Sequence, residues 1–89
     1  MYFRWNEWNE AHIGKHGIAP EEAEMVVRNA KSPYPRYRED GKWLVWGRGL
    51  GGRLIQVIFV IDDDDCIFVI HARSLTDREK RRFRKRDTT

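Results

Sequence analysis

Apolar residues cluster most densely near the end of the chain, just before a long charged segment. Residues Cys66–Ile70 are apolar and rich in β-branched and aromatic types, which predicts a buried strand. His71 and Arg73 follow at a spacing of two, so both side chains point to one face of that strand. Thr76 and Glu79 have the spacing of a capping box, in which each side chain accepts a hydrogen bond from the other residue's backbone N–H. The pattern predicts a strand that leads directly into a basic helix.

Two further helices are predicted in the first third of the chain. Apolar positions recur at helical spacing after Asn6, which suits an N-cap, and Gly17 suits the left-handed backbone that ends a helix. Pro20 suits the first position of a second helix. That helix should end before Ser32–Pro33, because the residue before a proline disfavours helical geometry.

Two more strands are predicted between these helices and the C-terminal strand. Lys42–Arg48 alternates in polarity, and Arg53–Ile61 is almost wholly apolar, as in a central strand with both faces covered. Gly49–Gly52 and Asp62–Asp65 are the expected hairpin turns. Met1–Trp5 is expected to form a short edge strand.

The order of these elements predicts an α+β fold with two N-terminal helices, an antiparallel sheet of three to four strands, and a C-terminal helix. With 89 residues, one domain spanning 1–89 is expected, with 87–89 as a frayed tail. We expect the helices to pack on one face of the sheet and to leave the other face free for a partner.

The positive charge is concentrated in the last helix. Residues 1–75 carry ten basic and eleven acidic side chains, whereas residues 76–89 carry seven basic and three acidic ones. Such an excess suits an anionic partner: RNA, DNA or an acidic protein. A solvated helix end, whose cations complement the helix dipole, is the more frequent explanation of a charge run taken alone.

The cysteine count and the distribution of apolar residues indicate the cellular compartment in which the protein is expected. The single cysteine, Cys66, excludes an internal disulfide. No apolar run approaches the ~18 residues of a membrane span. Met1–Trp8 lacks the apolar region of a signal peptide, so a cytoplasmic protein is expected.

Three other signals are better explained by structure than by ligand binding. A GxGxxG match at 47–52 is followed by a predicted strand, whereas the nucleotide-binding motif requires a helix there. The carboxylates at 62–65 lack the spacing of a calcium loop. His12 and His16 have the spacing of a two-histidine zinc helix, but the accompanying glutamate is absent. No metal and no cofactor is predicted.

The remaining polar residues suit chemistry on phosphate. RNA cleavage by the ribose 2′-hydroxyl needs a base, cations that stabilise the charged phosphorane, and an acid for the leaving oxygen. Histidine, glutamate, lysine and arginine could supply all three, although arginines that only bind phosphate or pair with carboxylates are the alternative. The candidates are Lys15, His16, Glu22, Tyr37, Lys42, Arg48, Arg53, His71, Arg73 and Glu79.

Several segments, in this order, resemble the BrnT-type toxin family, part of the wider RelE-like group of small bacterial ribonuclease toxins. The resemblance extends from Phe3 to about Arg84. Its matching segments are FRWNEWNEAHIGKHGI, the EEAEMVV helix, Gly47, Gly52–Arg53, and VIHAR followed by TDREKRR.

This resemblance implies a toxin of a type II toxin–antitoxin system, a metal-independent endoribonuclease that cleaves RNA and inhibits translation. It also implies a ribbon-helix-helix antitoxin as partner, with operator DNA contacted only through the toxin–antitoxin complex. The chain departs from many relatives at Lys42 and His71. The polar residues that match family positions are Lys15, His16, Glu22, Arg73 and Glu79.

These observations favour an RNA-cleaving toxin. Arg53 and Arg73 would hold the scissile phosphate. His71 or His16 would serve as the acid–base group, and Tyr37 would stack on a base. A non-catalytic module that binds nucleic acid or an antitoxin through the same basic surface is the alternative. The other residues predicted to bind RNA are Lys15, Lys42, Arg48, Arg78, Arg81 and Arg82.

Overall fold

The computed structural model describes the backbone of residues 1–87 and the side chains of residues 1–85, and it confirms the predicted α+β fold. Of the expected frayed tail, residue 87 belongs to the last helix, and residues 88 and 89 lie outside the described residues. The elements in chain order are α1 (Glu7–Gly14), α2 (Pro20–Arg28), β1 (Arg36–Tyr37), β2 (Trp43–Arg48), a 3-10 turn (Leu50–Gly52), β3 (Leu54–Ile61), β4 (Ile67–Ser74) and α3 (Asp77–Asp87).

The strands form one antiparallel sheet in the order β1-β2-β3-β4. The most apolar strand, β3, lies between β2 and β4, as expected for a strand covered on both faces. β1 is a two-residue strand between α2 and β2, where no strand was predicted. The expected strand at the N-terminus is reduced to one parallel bridge between Phe3 and Ile67.

Side-chain hydrogen bonds fix the start of α1 at Asn6, the predicted N-cap. Asn6 Oδ1 accepts from the Asn9 backbone N–H at 3.1 Å, and Asn9 Oδ1 accepts from the Asn6 N–H at 2.8 Å. Asn9 is fully buried and also donates to the Arg4 carbonyl at 3.0 Å, so the cap ties the N-terminal segment to the helix. Gly17 follows α1 with φ +72°, a conformation that costs glycine little.

The core lies between the sheet and the first two helices. Cross-strand neighbours Val45, Val57 and Ala72 form one fully buried row. Ile13 of α1 and Val26 of α2 pack into the same cluster. Full burial of such aliphatic side chains stabilises the fold by roughly 1.5–3 kcal/mol each, so this row fixes α1 and α2 on one face of the sheet.

α3 contacts the opposite face, and the expectation that all helices share one face is therefore wrong. Trp46, Gln56 and Arg73 are cross-strand neighbours. They lie on the face opposite the buried valines because successive strand residues alternate. The Arg73 guanidinium pairs with Glu79 of α3. Phe83, the one apolar residue of α3, packs against the edge of the core. None of the helices within the described residues has the length and apolar composition of a membrane span.

Candidate functional site

Two of the predicted catalytic residues, His16 and His71, come together beside β4. His71 lies on β4, and His16 lies in the turn that follows α1. Because α1 packs against β4, this turn is held next to His71. The ring centroids are 5.6 Å apart in an edge-on arrangement. His16 is exposed and His71 is partly buried. We call these two side chains the histidine pair.

Burial and neighbouring positive charge lower the pKa of His71. Burial is the largest cause, followed by the charges of Arg73, His16 and His12. His71 is therefore biased toward the neutral imidazole, the form that accepts a proton. Within the described residues no side-chain hydrogen bond to either ring of the histidine pair is formed.

Arg73 is near the histidine pair but is already engaged. Its terminal nitrogens donate to the two Glu79 carboxylate oxygens at 2.8 and 3.0 Å. It also donates to Gln56 Oε1 at 3.3 Å, and the same oxygen accepts from the Trp46 indole N–H at 3.0 Å. The hydrogen bonds from Arg73 lower the pKa of Glu79 to about 2. Gln56, which was not a predicted site residue, thus links the side chains of Trp46 on β2 and Arg73 on β4. The sequence feature that could have indicated it is a single polar residue within the apolar strand β3.

Arg53 makes an equally complete set of contacts on the other side of the sheet. Its Nε donates to Glu22 Oε2 at 2.8 Å, and its terminal nitrogen donates to the Gly17 carbonyl at 2.7 Å. Glu22 is 1% exposed and also accepts from the Leu50 backbone N–H at 2.9 Å. The hydrogen bond from Arg53 is the main cause that lowers the pKa of Glu22. A Cβ at Gly49 would overlap this carboxylate.

The structure does not bring Arg53 and Arg73 together as a phosphate clamp. Arg53 contacts α2 and the turn after α1, whereas Arg73 contacts Gln56 and α3 on the opposite face. Both guanidinium groups are paired with carboxylates, which offsets the charge that the clamp requires.

Tyr37 lies on the edge strand β1, separated from His71 by β2 and β3, and Lys42 lies in the turn that joins β1 to β2. The Tyr37 ring meets Trp43 edge-on at 5.1 Å, and its hydroxyl accepts from the Gly41 N–H at 3.0 Å. Lys42 is exposed beside this turn. These two residues therefore belong to a surface separate from the histidine pair.

The remaining cations divide between two surfaces. Lys15 is exposed next to His16 in the chain. The guanidinium of Arg48 lies over the Phe83 ring at 5.8 Å. Along α3 the exposed predicted residues are Arg78, Arg81 and Arg82.

The acidic turn at 62–65 and the glycine-rich segment at 47–52 have structural roles. Arg4 holds Asp62 at 2.6 Å and Asp64 at 2.7 Å. Asp62 also accepts from the Cys66 backbone N–H at 3.0 Å, so this turn is closed by its own contacts. Among residues 1–85 no three histidine, cysteine or acidic side chains converge as metal ligands would. The glycine-rich segment forms a short 3-10 turn that is followed by β3, whereas the nucleotide-binding motif requires an α-helix after the glycines.

No protein-family model, curated protein or solved structure matches the chain. The resemblance to BrnT-type toxins therefore rests on the quoted residues alone and stays a prediction.

Proposed function

We propose that this protein is an endoribonuclease that cleaves RNA by attack of a ribose 2′-hydroxyl on the adjacent phosphate. The observation that carries the proposal is the histidine pair. The two ring centroids lie 5.6 Å apart, and His71 is biased toward its neutral form. Neither ring makes a hydrogen bond to a side chain in the described part of the chain. A base and an acid on neighbouring elements are what this reaction needs.

In the proposed reaction, neutral His71 takes the proton of the 2′-hydroxyl as its oxygen attacks phosphorus. The bond between phosphorus and the 5′-oxygen breaks, and His16, acting as the acid, gives that oxygen a proton. The products are a 2′,3′-cyclic phosphate and a 5′-hydroxyl, and solvent exchange returns both imidazoles to their starting forms. Lys15, which adjoins His16, would contact the charged phosphate.

The resemblance to BrnT-type toxins supplies the biological part of the proposal. On this basis the protein acts in the cytoplasm as a type II toxin, inhibits translation, and is neutralised by a ribbon-helix-helix antitoxin. The exposed cations of α3 would contact the RNA backbone electrostatically.

Induction of the protein in a bacterial host, with RNA ends mapped before and after, tests the proposal. We expect growth arrest and new 5′-hydroxyl ends, both lost in His71→Asn. His12→Asn is the matched control because His12 lies on the same edge but stacks on Trp8, with ring centroids 4.9 Å apart. Growth arrest and RNA cleavage that persist in His71→Asn would refute the assignment of the base.

A second candidate function is favoured by the ion pairs of Arg53 and Arg73. Because carboxylates already pair with both guanidinium groups, the protein could instead bind nucleic acid or an antitoxin without cleaving RNA. This non-catalytic module predicts RNA binding that depends on salt, with no cleavage at any pH.

A further inference from the structure

An aromatic pocket lies on the side of the sheet contacted by α3, away from the histidine pair. It has a volume of about 360 Å³, which is within the range of small-ligand sites. Its walls include three aromatic side chains from three separate segments: Tyr34 from the loop after α2, Trp46 from β2 and Phe83 from α3. We call this cavity the aromatic pocket.

Two cations, Lys31 and Arg48, are among the residues that line the aromatic pocket. Lys31 lies at its rim, and Arg48 lies over the Phe83 ring. A smaller cavity of about 110 Å³ adjoins it across Tyr34 and Trp46 and is lined by Arg36 and Arg82. Tyr34 and Arg36, from the segment after α2, thus lie close to Arg82 and Phe83 of α3.

From this arrangement we infer that the aromatic pocket binds an unpaired base of single-stranded RNA, with the flanking phosphates at Lys31, Arg36 and Arg82. Aromatic rings stack on any base because every base has a π face, and a basic groove beside them follows the backbone. An uncharged apolar ligand would not need the cations that line the two cavities. The choice of RNA rests on the proposed function.

The pocket is physically connected to the proposed site of cleavage. The Trp46 indole N–H and the Arg73 guanidinium both donate to Gln56 Oε1, and Arg73 lies two residues after His71. These residues share one face of the sheet. An RNA strand held at the aromatic pocket would therefore run across β3 toward the histidine pair, and the pocket would hold a nucleotide away from the scissile bond.

Fluorescence anisotropy with a short, unstructured, labelled oligoribonucleotide tests the inference. All proteins carry His71→Asn, so that cleavage does not interfere. Phe83→Leu and Tyr34→Leu keep apolar side chains but remove the aromatic faces, and each should weaken binding by about fivefold or more. Trp8→Leu is the matched control, because Trp8 is 54% exposed and does not line the pocket; its affinity should be unchanged.

The salt dependence of RNA binding, compared between two variants that each lose one positive charge, tests the phosphate contacts. Lys31→Ala should lower the salt dependence of binding by about 0.7 in log–log slope, the value of one phosphate contact in a single strand. Arg38→Ala removes an exposed cation that lines neither cavity and should leave the slope unchanged. A duplex of the same sequence should bind more weakly, since its bases are not free to enter the pocket.

Unchanged affinity in both Phe83→Leu and Tyr34→Leu, with circular dichroism showing folded protein, would overturn the pocket assignment even if wild-type protein cleaves RNA. Weakened binding in these variants, with no cleavage by wild-type protein, would support the pocket and refute the ribonuclease. The pocket assignment and the ribonuclease proposal can therefore be refuted independently of each other.

Discussion

Glu79 accepts hydrogen bonds from both terminal nitrogens of Arg73, at 2.8 and 3.0 Å. One of its oxygens also accepts from the Thr76 backbone N–H at 2.9 Å, while Thr76 Oγ1 accepts from the Glu79 N–H at 3.2 Å. One carboxylate thus caps α3 and ties it to β4. Any loss of activity on substituting Arg73 must therefore be separated from a loss of this connection.

Replacing Arg73 with alanine should destabilise the protein. The substitution leaves the Glu79 carboxylate, 20% exposed, without its cation, which should lower the free energy of unfolding by about 1–3 kcal/mol. Urea unfolding followed by circular dichroism measures this change. Arg78→Ala, an exposed position in the first turn of α3, should change it by less than about 0.5 kcal/mol. Equal stabilities for the two variants would show that the ion pair contributes nothing.

The same ion pair should make stability depend on acidic pH. The folded-state pKa of Glu79 is lowered from 4.5 to about 2, so the folded state binds fewer protons than the unfolded state in this range. The stabilisation is complete above pH 4.5 and is lost as the pH falls toward 2, with a magnitude of order 3 kcal/mol. Glu79→Gln keeps the capping hydrogen bonds and should flatten this part of the profile. An unchanged pH dependence in Glu79→Gln would assign the effect to other carboxylates.

Glu22 should be among the most sensitive positions in the chain. Its side chain is 2% exposed and holds Arg53 and the Leu50 N–H, so Glu22→Gln leaves a guanidinium without its counter-charge. Because the Arg53 side chain is 42% exposed, water partly solvates its guanidinium, and we expect the free energy of unfolding to fall by about 1–3 kcal/mol. Glu21→Gln, the exposed neighbour in the same helical turn, is the control and should be nearly neutral. Thermal unfolding of both variants measures the difference, and similar midpoints would contradict the structural role of Glu22.

Helix starts could be predicted because the signals are local. Asn6 is the predicted N-cap of α1, and the predicted Thr76–Glu79 box forms both of its hydrogen bonds; each of these signals lies within four residues. The continuous apolar run of β3 likewise indicated its central place. β1 was missed because two residues carry no periodicity, and its pairing depends on β2.

The placement of α3 and the partners of the arginines could not be predicted in the same way. Arg53 and Glu22 are 31 residues apart, so only the folded chain brings them into contact. The spacing of His71 and Arg73 indicated a shared face, but no local signal places His16 beside His71. The aromatic pocket combines three distant segments for the same reason.

Cleavage of RNA with His71 as the base is tested most directly by a rate measurement. Purified protein cleaves one defined oligoribonucleotide, and the single-turnover rate is measured as a function of pH. We expect a rate that falls at acidic pH with a midpoint below 6.5, because neutral His71 is the base and its pKa is lowered from that value. We also expect no cleavage when the scissile nucleotide is 2′-deoxy. His71→Asn should reduce the rate by about 100-fold or more, while His12→Asn should not. A His71→Asn protein that cleaves at the wild-type rate, or a rate independent of pH, would contradict the account.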